Sequence, residues 1–197
     1  MILVIAKSRN YFACIPEISD IPQLIEWNRD ESHIQFINGN IFQSEKKLSL
    51  SFHEVILESS KNCFNQLFLI CKLNRNISNT GYIYFPKINW LGRSAEVQIF
   101  LDSLFHDKTY GVELAVFAYF IAAAKLNLNS LHLLVYSNNS KMIRMLSEVG
   151  FETCGILKKH TFVNSEFLDM ILLNVKLDII NCNNKLHKYF KYYKLIL

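Results

Sequence analysis

The chain has 197 residues and a formal net charge of +4. Of these residues 51% are hydrophobic and 13% aromatic, which is sufficient for the packed core of one domain. No apolar run approaches the roughly 20 residues that a membrane-spanning helix requires. The five cysteines are scattered and contain no Cys-x-x-Cys pair, which argues against a disulfide framework or a zinc site and for a cytoplasmic protein with reduced thiols and no metal.

The amino-terminal half alternates apolar runs with turn signals. Residues 1–6 are too short for a signal-peptide core and predict a first strand instead. Asp20 is predicted to cap a helix that has Pro22 in its first turn, and Phe52, Val55 and Ile56 predict a second helix over residues 49–60. Two further strands are predicted at residues 67–73 and 82–85, separated by the turn-rich residues 74–81.

The middle of the chain has a distinctive order of elements. A predicted strand at residues 95–101 is followed by a polar loop at 106–111, an apolar helix that runs to about residue 125, and a strand at 131–135. A loop that feeds a helix in this way directs several unpaired backbone N–H groups and the positive end of the helix dipole at one point. The segment therefore predicts a phosphate-binding site.

This segment resembles the GNAT superfamily of acyl-CoA-dependent N-acyltransferases. The family loop reads Gln/Arg-x-x-Gly-x-Gly/Ala, and here it reads His106-x-x-Thr109-x-Gly111. Asn139 and the pair Gly150-Phe151 match the family's Asn-x-x-Ala-x-x-x-Tyr-x-x-x-Gly-Phe segment. Residues 155–160 and 162–169 look like the closing hairpin of the branch that contains the ribosomal-protein, spermidine and nucleotide-amino-sugar acetyltransferases. The resemblance covers roughly residues 81–177.

The resemblance implies an α/β fold. Its sheet is GNAT-like, mixed but mostly antiparallel, with about seven strands, a splayed central parallel pair and flanking helices. We expect residues 1–178 to form this N-acyltransferase domain and residues 179–197 to form a basic amphipathic extension.

The resemblance also implies acetyl-CoA as co-substrate, without a metal. Its pyrophosphate would lie on the loop amides, and its pantetheine arm would lie between the splayed strands. The expected cofactor-binding residues are Phe100, Leu101, His106, Asp107, Lys108, Thr109, Tyr110, Gly111 and Asn139.

Glu96 is the expected catalytic base. An alkyl ammonium has a pKa of about 10.4 and must lose a proton before it attacks a thioester. The alternative is that Glu96 simply faces solvent on a half-exposed strand. Leu146 occupies the position of the family's acidic Tyr and cannot donate a proton, so Tyr136 is the candidate acid. The alternatives are that Tyr136 is a half-buried anchor and that water protonates the thiolate.

His160 and Asp169 are the expected acceptor-binding residues, because the resemblance places them near the incoming amine. Alternatively, His160 is a surface residue and Asp169 a hydrogen-bonding partner of the backbone. The expected activity is that of a transferase that moves an acetyl group to a primary amine of a small molecule, with a nucleotide-linked amino sugar favoured. A non-catalytic acyl-CoA-binding module, a carrier-protein-dependent enzyme and an enzyme acting on a protein or polyamine amine are open alternatives.

The carboxyl-terminal tail carries the net charge of the chain. Residues 185–197 contain four Lys and no acidic residue, and on a helix their apolar side chains form one stripe opposite the lysines. Such a helix could dock on its own domain, on a second subunit in a homodimer, or on an anionic membrane; no nucleic-acid partner is expected. We expect docking on the body or on a partner subunit.

Overall fold

The computed structural model describes residues 4–29, 44–61, 64–75, 77–105, 108–163, 165–179 and 184–195. In the amino-terminal half the elements are β1 (Val4–Lys7), β2 (Tyr11–Cys14), α1 (Ile21–Arg29), α2 (Glu45–Ser59), β3 (Leu67–Leu73), β4 (Asn79–Phe85), β5 (Ile88–Asn89), β6 (Ser94–Glu96) and β7 (Gln98–Leu101). They continue with α3 (Lys108–Phe120), β8 (Ser130–Tyr136), α4 (Ser140–Val149), β9 (Glu152–Val163), β10 (Glu166–Lys176) and α5 (Asn184–Tyr193). None of the helices in these ranges is long and apolar enough to cross a bilayer.

The described strands form two five-stranded sheets, ordered β1-β2-β3-β4-β7 and β5-β6-β8-β10-β9. Neighbouring strands are antiparallel except for β6 and β8. The expected mixed and mostly antiparallel α/β fold is confirmed. The number of strands exceeds the prediction, because β2 and β5 were not foreseen and the predicted strand at 95–101 divides at Val97.

The two sheets separate at that division. Ser94 pairs with Ser130 and Glu96 with His132, and the Val97 amide donates to the His132 carbonyl at 2.9 Å. Beyond this point β7 pairs with β4, whereas β8 pairs with β10. A gap therefore opens between the carboxyl ends of β7 and β8, which is the expected splayed parallel pair.

Helix α3 lies at the centre of the main core. Residues 113–122 are all buried, and apart from Glu113 they are apolar or aromatic. A helix that is buried on every side requires neighbours on every side. It contacts β7, α4 and α5, and it continues as a π-helical turn at Ile121–Lys125. Helices α1 and α2 cover a second, aromatic cluster on the other face of the first sheet, which includes Trp27, Phe68, Tyr82 and Phe100.

Helix α5 packs on the body of the protein. Leu186, Phe190 and Tyr193 belong to the main core, and the Phe190 ring lies 5.8 Å from that of Tyr119. The Arg9 amide donates to the Tyr193 carbonyl at 2.7 Å. The apolar stripe of α5, as far as the structure describes it, is therefore covered by its own domain. The lysines of α5 with described side chains, Lys188 and Lys191, are exposed, as is Lys194 just after the helix.

One predicted helix cap and two element boundaries in the amino-terminal half differ from the prediction. Helix α1 starts directly after Asp20 as predicted, but the Asp20 carboxylate accepts from the Glu17 amide at 3.0 Å, in a capping box of the preceding 3-10 turn Ile18–Asp20. The same carboxylate accepts from the Lys72 ammonium at 2.8 Å. Helix α2 starts at Glu45 because the Ser44 hydroxyl accepts from the Lys47 amide and caps it. Strand β4 includes Gly81, which resembled a turn residue; a Cβ there would come within 2.1 Å of the Phe100 carbonyl oxygen, so glycine permits β7 to approach.

Candidate active site

The gap between β7 and β8 has one closed face and one open face. Val97 and Leu133 are buried in the core on the side of α3. Because side chains alternate along a strand, Glu96, His132 and Leu134 project from the opposite face. Leu134 is 40% exposed, so this face is accessible at the gap.

The amino terminus of α3 lies where the chain returns from β7. The helix begins at Lys108, so the prediction that residues 108–111 form a loop and that the helix starts at Val112 is wrong. The physical reason is that the first turn of a helix presents the same unpaired amides that a phosphate loop would present. Because the helix starts at Lys108, the backbone amides of Lys108, Thr109 and Tyr110 have no acceptor within the helix. His106 and Asp107 lie outside the described residues, as do the side chains of Lys108 and Thr109.

Gly111 lies in the first turn of α3 and faces the protein interior. A Cβ at this position would lie 3.2 Å from the Met145 sulfur and 3.9 Å from Leu101 Cδ2. The small residue therefore allows α3 to approach α4 and β7 closely. A substitution here would perturb packing as well as any ligand.

Tyr110 is held in place by aromatic neighbours. Its ring lies 5.7 Å from that of Tyr11 in β2 and 6.2 Å, edge to face, from that of Phe105. Phe105 belongs to the 3-10 turn Ser103–Phe105, which follows β7. The first turn of α3 is thus braced from two sides.

Phe100 and Leu101 end strand β7. They pair with Tyr82 and Gly81 of β4, and the Phe100 ring stacks on the Tyr82 ring at 5.0 Å. Strand β7 is the last strand of its sheet, so its other edge faces β8 across the gap. An extended ligand chain entering the gap would run along this edge.

Glu96 lies at the closed end of the gap, in a polar group on the open face. Glu96 is half-buried, and the side-chain nitrogen Nε2 of Gln98 donates to its Oε1 at 3.3 Å. Burial and, to a lesser extent, the charge of Glu96 raise the pKa of Tyr84, whose hydroxyl donates to Gln66 at 2.7 Å. The sheet register also pairs Glu96 with His132.

Sequence reasoning missed Tyr84, Gln98 and His132 as members of this group. The alternation of residues 94–101 could have indicated Gln98, which lies two positions from Glu96. The other two reach Glu96 only through the strand pairing, and a single sequence does not contain that pairing.

Tyr136 lies at the other end of β8. It is buried, and burial raises the pKa of its hydroxyl, so the phenol keeps its proton at neutral pH. It stands four residues beyond His132, which corresponds to about 13 Å along the strand. The structure therefore does not bring Tyr136 next to Glu96. Leu146 is fully buried on α4.

Asn139 begins helix α4. Its side-chain oxygen accepts from the Met142 amide at 3.2 Å, and its own amide donates to the Tyr136 carbonyl at 2.9 Å. Gly150, with φ of 104°, ends the same helix in a left-handed conformation that favours glycine. These two residues of the family pattern define the length of α4.

His160 and Asp169 lie on the hairpin of β9 and β10. The Asp169 carboxylate accepts from the Lys158 ammonium and from the Lys159 amide, both at 2.8 Å, and these bonds lower its pKa. His160 is exposed on β9. The contacts of Asp169 match the backbone-partner alternative. Among the described residues, no group of three or more His, Cys, Asp or Glu is placed to hold a metal ion.

Comparisons with known proteins agree with this geometry. Spermidine N(1)-acetyltransferase of Escherichia coli (strain K12) is 30% identical over 91 residues, which are 46% of this chain. The matched residues span about half, 49%, of that relative. A spermidine N-acetyltransferase from Vibrio cholerae, solved in complex with CoA and spermine, has a TM-score of 0.77 at 20% identity and covers 85% of this chain and 95% of its own.

A second solved structure from Vibrio cholerae is described as a dodecameric spermidine N-acetyltransferase in an intermediate state. It has a TM-score of 0.72 at 20% identity and covers 85% of this chain and 94% of its own. At this level of identity both solved structures establish the fold alone. The family model for the acetyltransferase (GNAT) domain matches residues 15–172. The chain belongs to the GNAT acetyltransferase family.

Proposed function

We propose that the protein is an acetyl-CoA-dependent N-acetyltransferase whose acceptor is the primary amine of a polyamine-like small molecule. One observation carries the proposal: in a chain of the GNAT family, the amino terminus of α3 lies at the end of the gap between β7 and β8. This arrangement joins an anion-binding helix terminus to a slot for an extended arm.

Acetyl-CoA would supply the activated acyl thioester. The amides of Lys108, Thr109 and Tyr110 would hold its pyrophosphate, together with His106 and Asp107. The β7 edge at Phe100 and Leu101 would pair with the amides of the pantetheine arm. Gly111 and Asn139 would act through packing and through the start of α4, since these are the contacts they make.

Glu96 would accept the proton of the acceptor ammonium, directly or through water. Gln98 donates to Glu96 and would orient its carboxylate. The thiolate would take its proton from Tyr136 or from water. Tyr136 lies about 13 Å further along β8 than His132, the residue that pairs with Glu96. This separation favours water as the proton donor, because a phenol side chain spans only about half of that distance.

The polyamine acceptor is supported by the relatives, which are named for spermidine, and by the open face of the gap. The Glu96 carboxylate would attract the acceptor ammonium, and the half-buried ring of Tyr84 would offer a face on which a cation can bind. A nucleotide-linked amino sugar has no support among the relatives described above. His160 and Asp169 stay proposed acceptor-side residues.

We also propose that copies of this chain associate through the β9–β10 hairpin. Strand β9 is the last strand of its sheet, and Ile156, Phe162 and Phe167 expose large apolar surface on the hairpin. A long exposed edge with apolar side chains favours pairing with another chain. Sedimentation of Phe162→Glu should show a smaller species than the parent; unchanged sedimentation would contradict the interface.

A matched pair of variants tests the cofactor site. Proline at the first helical position removes one amide and keeps the helix, so Lys108→Pro should weaken acetyl-CoA binding by about tenfold in calorimetry. Lys108→Ala retains the amide and is the control for the lost side chain. Equal binding by the two variants would show that the helix terminus does not hold the pyrophosphate.

A further inference from the structure

Asp102, the residue directly after β7, connects three parts of the protein. Its Oδ2 accepts from the Trp27 indole nitrogen at 2.6 Å, and its Oδ1 accepts from the Leu104 amide at 2.9 Å. Its own amide donates to the Thr80 carbonyl at 2.9 Å. One carboxylate thus ties α1 to the chain between β7 and α3.

The bond to Trp27 is in a protected environment. Trp27 is 3% exposed, and its ring packs on Phe100 of β7 at 5.2 Å. A buried indole N–H requires an acceptor, and a charged acceptor gives the stronger bond. Helix α1 is therefore held both to the end of β7 and to the residue that follows it.

The connection continues to the first turn of α3. The Phe105 amide donates to the Asp102 carbonyl at 2.9 Å and closes the short turn. The Phe105 ring then meets the Tyr110 ring edge to face. The Tyr110 amide is one of those proposed to hold the pyrophosphate. The position of Asp102 therefore influences the position of the amides in the first turn of α3.

We propose that Asp102 and Trp27 are positioning residues that set the amino terminus of α3 for acetyl-CoA and couple it to α1. This inference rests on the proposed function, because it requires that the amides in the first turn of α3 bind acetyl-CoA. Each carboxylate oxygen has one donor. Because the two donors meet different oxygens, asparagine would place an NH2 group, which cannot accept, against one of them.

The test compares Trp27→Phe, Asp102→Asn and the double variant in the full chain. Trp90→Phe is the matched control: the Trp90 indole also donates to a carbonyl, that of Phe64 at 2.7 Å, but on an exposed residue outside this connection. Calorimetry gives the Kd for acetyl-CoA and the binding stoichiometry. Melting curves report folding separately.

Each single variant should raise the Kd for acetyl-CoA by about three- to tenfold, and the double variant should resemble the singles because both remove one connection. Trp90→Phe should bind like the parent. A variant that melts at a lower temperature but binds acetyl-CoA with the parent's Kd overturns the inference. If Trp27→Phe does not fold, the Kd of Asp102→Asn alone decides the outcome. A parent that binds no acetyl-CoA overturns the proposed function, and this inference with it.

Discussion

Replacing Phe190 by alanine tests whether α5 is part of the folded body. Phe190 is 6% exposed and packs against the rings of Tyr119 and Phe120 at 5.8 and 6.1 Å. Removing a buried phenyl ring should lower the free energy of unfolding by about 3–5 kcal/mol. In a chain of this length that corresponds to a melting temperature lower by about 6–20 °C, measured by circular dichroism or calorimetry.

The control lies on the same helix. Lys191 is exposed, so Lys191→Ala should change the unfolding free energy by about 0.5 kcal/mol or less. If Phe190→Ala melted like the parent while Lys191→Ala weakened salt-sensitive binding to anionic vesicles, the docking of α5 on its own domain would be refuted. Membrane contact would then explain the basic tail.

Three further variants separate chemistry from stability. Glu96→Gln should lower turnover by about 10²-fold or more at an unchanged Kd for acetyl-CoA. The control Glu152→Gln, at an exposed position on β9, should leave turnover unchanged. Equal pH–rate profiles for Glu96→Gln and the parent would remove Glu96 from the mechanism. Leu146→Ala should lower the unfolding free energy by about 2–5 kcal/mol in denaturant titrations, with kcat per folded molecule retained. Hydrogen bonds from Lys158 and the Lys159 amide lower the pKa of Asp169, so its stabilisation is present above its unfolded pKa of about 3.9 and is lost as the pH falls through the lower folded pKa. The melting difference between parent and Asp169→Asn should therefore be full at neutral pH, begin to shrink at about pH 4 and disappear only once the pH is below the lowered folded pKa; a difference that does not shrink in acid would contradict this role.

The sequence was most informative where local chemistry decides the structure. The apolar run at 67–73 is β3, as predicted. It misled where tertiary contact decides: Gly81 resembled a turn residue but lies inside β4, because β7 approaches there too closely for a side chain. In the same way, the residues at 108–111 resembled a loop but form the first turn of a buried helix.

The candidate site shows the same division. The strand-loop-helix order predicted from sequence alone where the proposed cofactor end lies, since helix termini bind anions through groups that every residue has. The neighbours of Glu96 could not be predicted from the sequence, because strand pairing brings Tyr84 and His132 close to it. The distance of Tyr136 from Glu96 likewise follows only from the register of β6 on β8.

Acetyl transfer itself tests the central claim most directly. The full chain would be mixed with acetyl-CoA and spermidine, with thiol release followed spectroscopically and the amine product identified by mass spectrometry. We expect acceptor-dependent thiol release with an equal amount of mono-acetylated amine, both reduced in Glu96→Gln. Tight binding of acetyl-CoA without acceptor-dependent thiol release, on spermidine and on a panel of other primary amines, would contradict the claim and favour a non-catalytic acyl-CoA-binding protein.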